Sequence, residues 1–126
     1  MDTNNPVIQL CMQGSRAEFE GRMEAARSLY LQAWDISQDD YQACIAAHYL
    51  ARFQATPEEM LRWNQEALDR ARQVDDERVK EFYPSLYLNL GCSHEMLGNE
   101  TEAQRYYDLA AKLGIVHHVE STDEPR

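Results

Sequence analysis

Residues 14–33 and 91–110 carry the same series of small and aromatic side chains at the same spacing. Gly14 is followed by Gly21, Ala25-Ala26, Tyr30 and Ala33, and Gly91 by Gly98, Glu102-Ala103, Tyr107 and Ala110. The offsets read as a helix, a short turn and a second helix, with small residues where the two helices approach. Such a repeat decides the architecture before any single helix is considered, because a unit too small to bury its own apolar face is stabilised by stacking on its neighbours. A degenerate copy lies between the two. His48, Ala55, Met60, Asn64 and Ala67 take the equivalent places; Gln65 to Leu68 fit well, His48 and Asn64 poorly. Gly14 to His48 spans 34 residues and His48 to Gly91 spans 43, so the second unit carries nine extra residues, around Val74 to Tyr83.

The 34-residue period and above all LNLGCSHEMLGNETEAQRYYDLAAKLG, beginning at Leu88, resemble the tetratricopeptide repeat family over residues 6–115. The resemblance implies an all-α fold: a right-handed α-solenoid of three helical hairpins at 6–37, 40–74 and 77–114, after an N-terminal extension at 1–5. The tail at 115–126 lacks apolar periodicity and reads as partly disordered.

Local signals predict six helices at 6–20, 22–37, 40–54, 57–74, 77–97 and 100–114. Asn5-Pro6 and Thr56-Pro57-Glu58-Glu59 are helix starts, the second with a capping box, and Asp39-Asp40 can cap the third helix. Gly21, Gly98 and Gly114 fall where a turn or helix end needs positive φ. Pro84 predicts a kink or break in the fifth helix, with residues 75–83 as a separate helical turn. Trp34, Trp63, Tyr30, Tyr106 and Tyr107 recur on the second helices at a spacing that packs layers together, with Tyr30 and Tyr107 in the core.

Charge narrows the partners. Twelve Lys plus Arg against 22 Asp plus Glu give a net charge of −10, which repels nucleic acid and anionic membrane surfaces. The opening MDTNNPVIQLCMQG has neither a basic start nor an unbroken apolar stretch, and nothing approaches the ~20 apolar residues of a membrane span. The expected location is the cytoplasm. Cys11, Cys44 and Cys92 are far apart and lack metal or redox spacing, so they are expected to be reduced, buried thiols.

No phosphate loop or nucleophile–base arrangement is present, so no catalysis and no cofactor are expected. His48 and His94 read as packed, hydrogen-bonded histidines rather than general bases. His117-His118 with Glu120 and Asp123, adjacent on a tail, do not prearrange a metal shell, and no metal is expected. Asp75-Asp76-Glu77-Arg78 reads as a solvated surface.

The family resemblance implies instead a site for another protein or peptide on the open surface lined by the first helices. Carried over by position, it comprises Ser15 and Phe19; Gln42, Ile45, Tyr49, Arg52 and Phe53; and Leu88, Asn89, Cys92, Glu95 and Met96. Asn89 matches one position of the family's carboxylate clamp. Cys11 and Ile45 stand where that clamp needs basic residues, so a clamp is not expected. With no extra helix to cover the last unit, Leu109, Leu113, Ile115, Val116 and Val119 form an apolar end suited to a second copy, and the alternative reading is a self-associating structural protein whose groove or C-terminal end is filled by another copy.

Overall fold

The computed structural model describes residues 4–74 and 77–113, and these are all-helical, with no strand among them. The helices are α1 (Pro6–Phe19), α2 (Met23–Ile36), α3 (Asp40–Leu50), α4 (Pro57–Ala71), α5 (Glu77–Lys80), α6 (Tyr83–Met96) and α7 (Glu100–Lys112). The tail and Gly114 lie outside the described residues.

The helix starts follow from their caps. The Asn5 side chain accepts from the backbone of Val7 at 2.8 Å and of Ile8 at 3.4 Å, and Asp39 accepts from Gln42 N at 2.8 Å. Thr56 accepts from Glu59 N at 3.2 Å, the forward half of the capping box. Gly21 and Gly98 both sit at positive φ, 80° and 82°, and close identical turns. In one, Arg22 N reaches Ala17 O at 2.8 Å; in the other, Asn99 N reaches His94 O at 2.8 Å.

Three expected helices are shorter or broken. The one expected at 40–54 ends at Leu50 and tightens into a 3₁₀ turn, Ala51–Phe53, where Gln54 Nε2 takes the Leu50 carbonyl at 2.9 Å. The one expected at 57–74 stops at Ala71. The stretch 77–97 divides into α5 and α6, with Pro84 in the first turn of α6, where its missing N–H is no loss. The other ends differ by one or two residues.

Consecutive helices pack together: α1 on α2, α3 on α4 and α6 on α7, with α2 meeting α3 and α4 meeting α6 across the pairs. Alanines make the close approach possible; Ala17, Ala26, Ala33, Ala46, Ala67 and Ala110 are completely buried. The core has two clusters, and α3 serves both. Ile45, Ala46 and Leu50 join Val7, Ile8 and Tyr30, whereas Cys44 and Ala47 join Leu68, Leu86, Leu90 and Tyr106. Trp34 and Trp63 touch both clusters and meet edge to face at 4.9 Å.

Candidate functional site

Tyr30 organises the part of the candidate site at α1 and α2. Its ring, fully buried, lies over Gly14, where a Cβ would come within 2.4 Å of it. Its hydroxyl donates to Glu18 Oε1 at 2.6 Å and lies 3.2 Å from Ser15 Oγ. Burial first, and the Glu18 carboxylate second, push the phenol up to about 12. The next segment closes over this couple. Tyr49 stacks on Tyr30 at 4.9 Å, Phe53 lies 5.4 Å away, and Arg52 donates to Glu18 at 2.5 Å with its guanidinium 5.3 Å from the Tyr49 ring.

The last pair repeats the arrangement. Tyr107 lies over Gly91 and donates to Glu95 Oε1 at 2.6 Å, with Cys92 Sγ at 3.4 Å in the place of the Ser15 hydroxyl. Desolvation, then the Cys92 and Glu95 contacts, raise its phenol well above the ordinary value. Tyr106 is the buried tyrosine here, and Tyr107, expected in the core, is half-buried.

In the middle unit His48 and Asn64 replace the Gly–Tyr couple. His48 Nδ1 pairs with Asn89 Nδ2 at 3.2 Å, and its ring meets Tyr49 edge to face at 5.5 Å. Burial, assisted by the Arg52 charge, lowers its pKa to about 4, so it is neutral, with Nδ1 accepting and the proton on Nε2. Asn64 is 6% exposed and its Nδ2 donates to Ser93 Oγ at 2.8 Å, while Ser93 Oγ donates to Asn89 O at 2.9 Å. The Ser93 proton is thereby committed, so Asn64 must be the donor. Its Oδ1 is left as a buried acceptor with no partner among the described residues.

Asn64, Ser93 and Asn89 line a hollow of about 210 Å³ with Arg52, Cys92, Met96, Met60 and Ala51. Four sequence-nominated residues, Arg52, Asn89, Cys92 and Met96, therefore meet in one place. Ser15, Tyr49, Arg52 and Phe53 gather around Tyr30. Tyr49 and Arg52, nominated as ligand anchors, thus spend much of their surface joining α1 and α2 to α3. Gln42 is tied to the backbone of Gln38 at 2.8 Å near the start of α3, away from the hollow. Phe19 stands 92% exposed at the end of α1, and Glu95 holds Tyr107.

Ile45, expected on the groove, is buried in the first core cluster because α3 packs on two sides, while Leu88 is half-buried. Of the expected dimer contacts, Leu109 is half-buried and Leu113 is 53% exposed; Ile115, Val116 and Val119 lie outside the described residues. Cys92 corrects the expectation of three buried thiols: it is exposed, its Sγ touched by the Tyr107 hydroxyl at 3.4 Å. Sequence reasoning missed Asn64, Ser93, Met60 and Glu18 as site residues. The signal for Asn64 was its misfit: an amide where the flanking copies have tyrosine.

Neither described histidine has a carboxylate partner: His48 pairs with Asn89, and His94 with Asn99 at 3.3 Å while stacking on Tyr106. Cys44 and His48 share a smaller cavity of about 160 Å³ with Tyr49, Phe82, Ser85 and Leu86, but burial pushes the Cys44 thiol up to about 12, far from a nucleophilic thiolate. Among the described residues no cluster of His, Cys, Asp or Glu is arranged to hold a metal, and no helix is long and apolar enough to cross a membrane. His117, His118, Glu120 and Asp123 lie outside the described residues. Comparison with protein-family models, curated proteins and solved structures returned no match.

Proposed function

We propose that this chain is a protein-binding module of the cytoplasm: three tetratricopeptide-like hairpins in a right-handed α-solenoid that hold a segment of a partner protein, without catalysis. Pairwise packing of successive helices supports the repeat architecture, as does the same Gly–Tyr–Glu arrangement in the first and last pairs. The observation that carries the binding reading is Asn64, which lines the hollow and whose Oδ1 is a buried acceptor with no partner among the described residues. An unmade hydrogen bond of this kind costs about 1–3 kcal/mol, a debt that an incoming main-chain N–H would cancel. Met60 and Met96 supply adaptable apolar contact beside it, and Asn89 and Arg52 supply further polar contacts.

Selection of peptides from a random display library on the immobilised protein tests this, with Met96→Lys and Asn64→Leu variants as counter-targets. A shared consensus whose binding falls about tenfold on either variant is expected. No enrichment, or peptides indifferent to both variants, would remove the hollow as a binding site.

Leu113, 53% exposed beside half-buried Leu109, favours a second reading, self-association through the C-terminal end. Sedimentation giving a monomer at high micromolar concentration would set it aside.

A further inference from the structure

We propose that the cavity between α3 and α6 is a binding site for a small neutral ligand, a single aromatic ring carrying a hydrogen-bond acceptor. The space, about 160 Å³, is lined by Cys44, Ile45, His48 and Tyr49 on one side and by Phe82 and Leu86 on the other, with exposed Ser85 completing the wall.

The cavity follows from the repeat. One unit earlier α1 packs on α3, whereas the backbones of α3 and α6 scarcely approach each other. The surplus residues of the middle unit, around Val74 to Tyr83, bring in Phe82, whose ring lies 6.3 Å from that of Tyr41 on α3 and spans part of the gap. Protein interiors hold few voids larger than a water molecule, so a space of this size stands out. Its walls are also fixed by partners elsewhere, which keeps it open without a ligand. Tyr49 stacks on Tyr30 at 4.9 Å, His48 Nδ1 pairs with Asn89 at 3.2 Å, and Cys44 and Leu86 belong to the second core cluster.

The lining defines the occupant. An apolar cavity of roughly 150 Å³ takes one benzene-sized ring. The Tyr49 and Phe82 rings, with Ile45 and Leu86, suit a flat apolar body. His48 supplies the polar contact: with Nδ1 accepting from Asn89, Nε2 carries the proton, and that donor has no acceptor among the described residues. Burial and the Arg52 charge hold the imidazole neutral, so it offers a hydrogen bond without a charge. A carboxylate would find no cation among the described lining residues and would meet a net charge of −10. An ammonium would face an N–H instead of an acceptor. A neutral ring bearing a hydroxyl, ether or carbonyl oxygen meets every condition.

The inference is independent of the hollow at Asn64. The test titrates the full chain, ¹⁵N-labelled, with phenol, with toluene, which has the same shape and no polar atom, and with benzoate. Saturable shifts from phenol in the millimolar range are expected at the amides of residues 44–49 and 82–86 and at His48 Nε2. Toluene should bind about tenfold more weakly, and benzoate should leave these residues unshifted. His48→Phe should bring phenol down to the level of toluene without changing toluene. Cys44→Leu, which fills the space, and Ser85→Phe, at an exposed position that does not endanger the fold, should each weaken both ligands by about tenfold. No saturation at these residues, equal affinity for phenol and toluene, or full-strength binding to both Cys44→Leu and Ser85→Phe would overturn the proposal. So would phenol shifts centred on residues 60, 64 and 96, which would give the ring to the hollow. A bound water at His48 that phenol does not displace would give the cavity to solvent and likewise overturn it.

Discussion

Gly14 lies so close under the ring of Tyr30 that a Cβ at Gly14 would stand 2.4 Å from Tyr30 Cε1, and Gly91 has the same relation to Tyr107 at 2.6 Å. The two contacts differ in what surrounds the tyrosine. Tyr30 is sealed beneath Tyr49 and Phe53, whereas Tyr107 is half-buried.

The difference predicts unequal costs for the same substitution. An alanine inside a helix gains about 1 kcal/mol over glycine in propensity, and overpacking a fixed core costs roughly 1–3 kcal/mol or more. Gly14→Ala, which must displace a ring that has nowhere to go, is expected to destabilise by about 2 kcal/mol. Gly91→Ala, which meets a half-buried rather than a sealed ring, should stay within about 1 kcal/mol of the parent protein. Urea denaturation of both variants measures this, and an equal cost at both sites would contradict the wedged ring.

His48 gives the fold a defined acid sensitivity. Its folded pKa, about 4, lies below the ordinary 6.5, so between those values the unfolded chain binds a proton that the folded chain refuses. Stability is therefore insensitive to this group above pH 6.5, falls as pH drops from 6.5 toward 4, and levels off below. The full loss is about 3 kcal/mol from this residue. Carboxylates titrate in the lower half of the window, so the quantity to compare is the difference between the parent and His48→Leu profiles. A constant difference from pH 7 to 4 would show that the imidazole is not held neutral.

The three cysteines should separate by reactivity. Burial pushes the thiols of Cys11 and Cys44 up to about 12, while Cys92 is exposed. A thiol reagent at mildly alkaline pH is expected to modify Cys92 alone in the native protein and all three once the chain is denatured. Mass spectrometry of the labelled protein reads the outcome, and rapid labelling of Cys44 in native buffer would mean that α3 opens far more readily than its packing implies.

What the sequence disclosed, and what it hid, divides by the range of the interactions. The caps at Asn5, Asp39 and Thr56, the positive φ at Gly21 and Gly98, and the helix break at Pro84 are set by neighbours a few residues away, and each was legible. The Gly–Tyr spacing was legible as a pattern, although its physical content, a ring resting on a helix backbone, needed coordinates. The roles of Tyr49 and Arg52 were not legible. Both were nominated for a ligand, yet they close over Tyr30 and Glu18 because α3 meets α2 across the pair boundary, a contact no local signal encodes. Ile45 and Cys92 depart from expectation in opposite directions: Ile45 is buried because α3 is packed on two sides, and Cys92 is exposed on α6.

Asn64 joins stability to binding. Its Oδ1 is buried without a partner among the described residues, because Ser93 Oγ spends its proton on Asn89 O and so can only accept from Asn64. Replacing Asn64 by leucine removes the unsatisfied acceptor, a cost of roughly 1–3 kcal/mol, and forfeits one neutral hydrogen bond worth about 1 kcal/mol. Leucine has nearly the same volume and faces Met60 and Met96, so it should pack without a new cavity. The expected outcome is a free protein more stable by about 1 kcal/mol that binds a selected groove peptide about tenfold more weakly. Thermal or urea unfolding of the unliganded variant reads the first quantity, and calorimetric titration with the peptide reads the second. A variant that loses stability would show that the amide is satisfied in the free protein. A variant that gains stability and still binds at full strength would mean that the peptide bypasses Asn64, leaving the acceptor as a defect of the fold rather than a contact kept for a ligand.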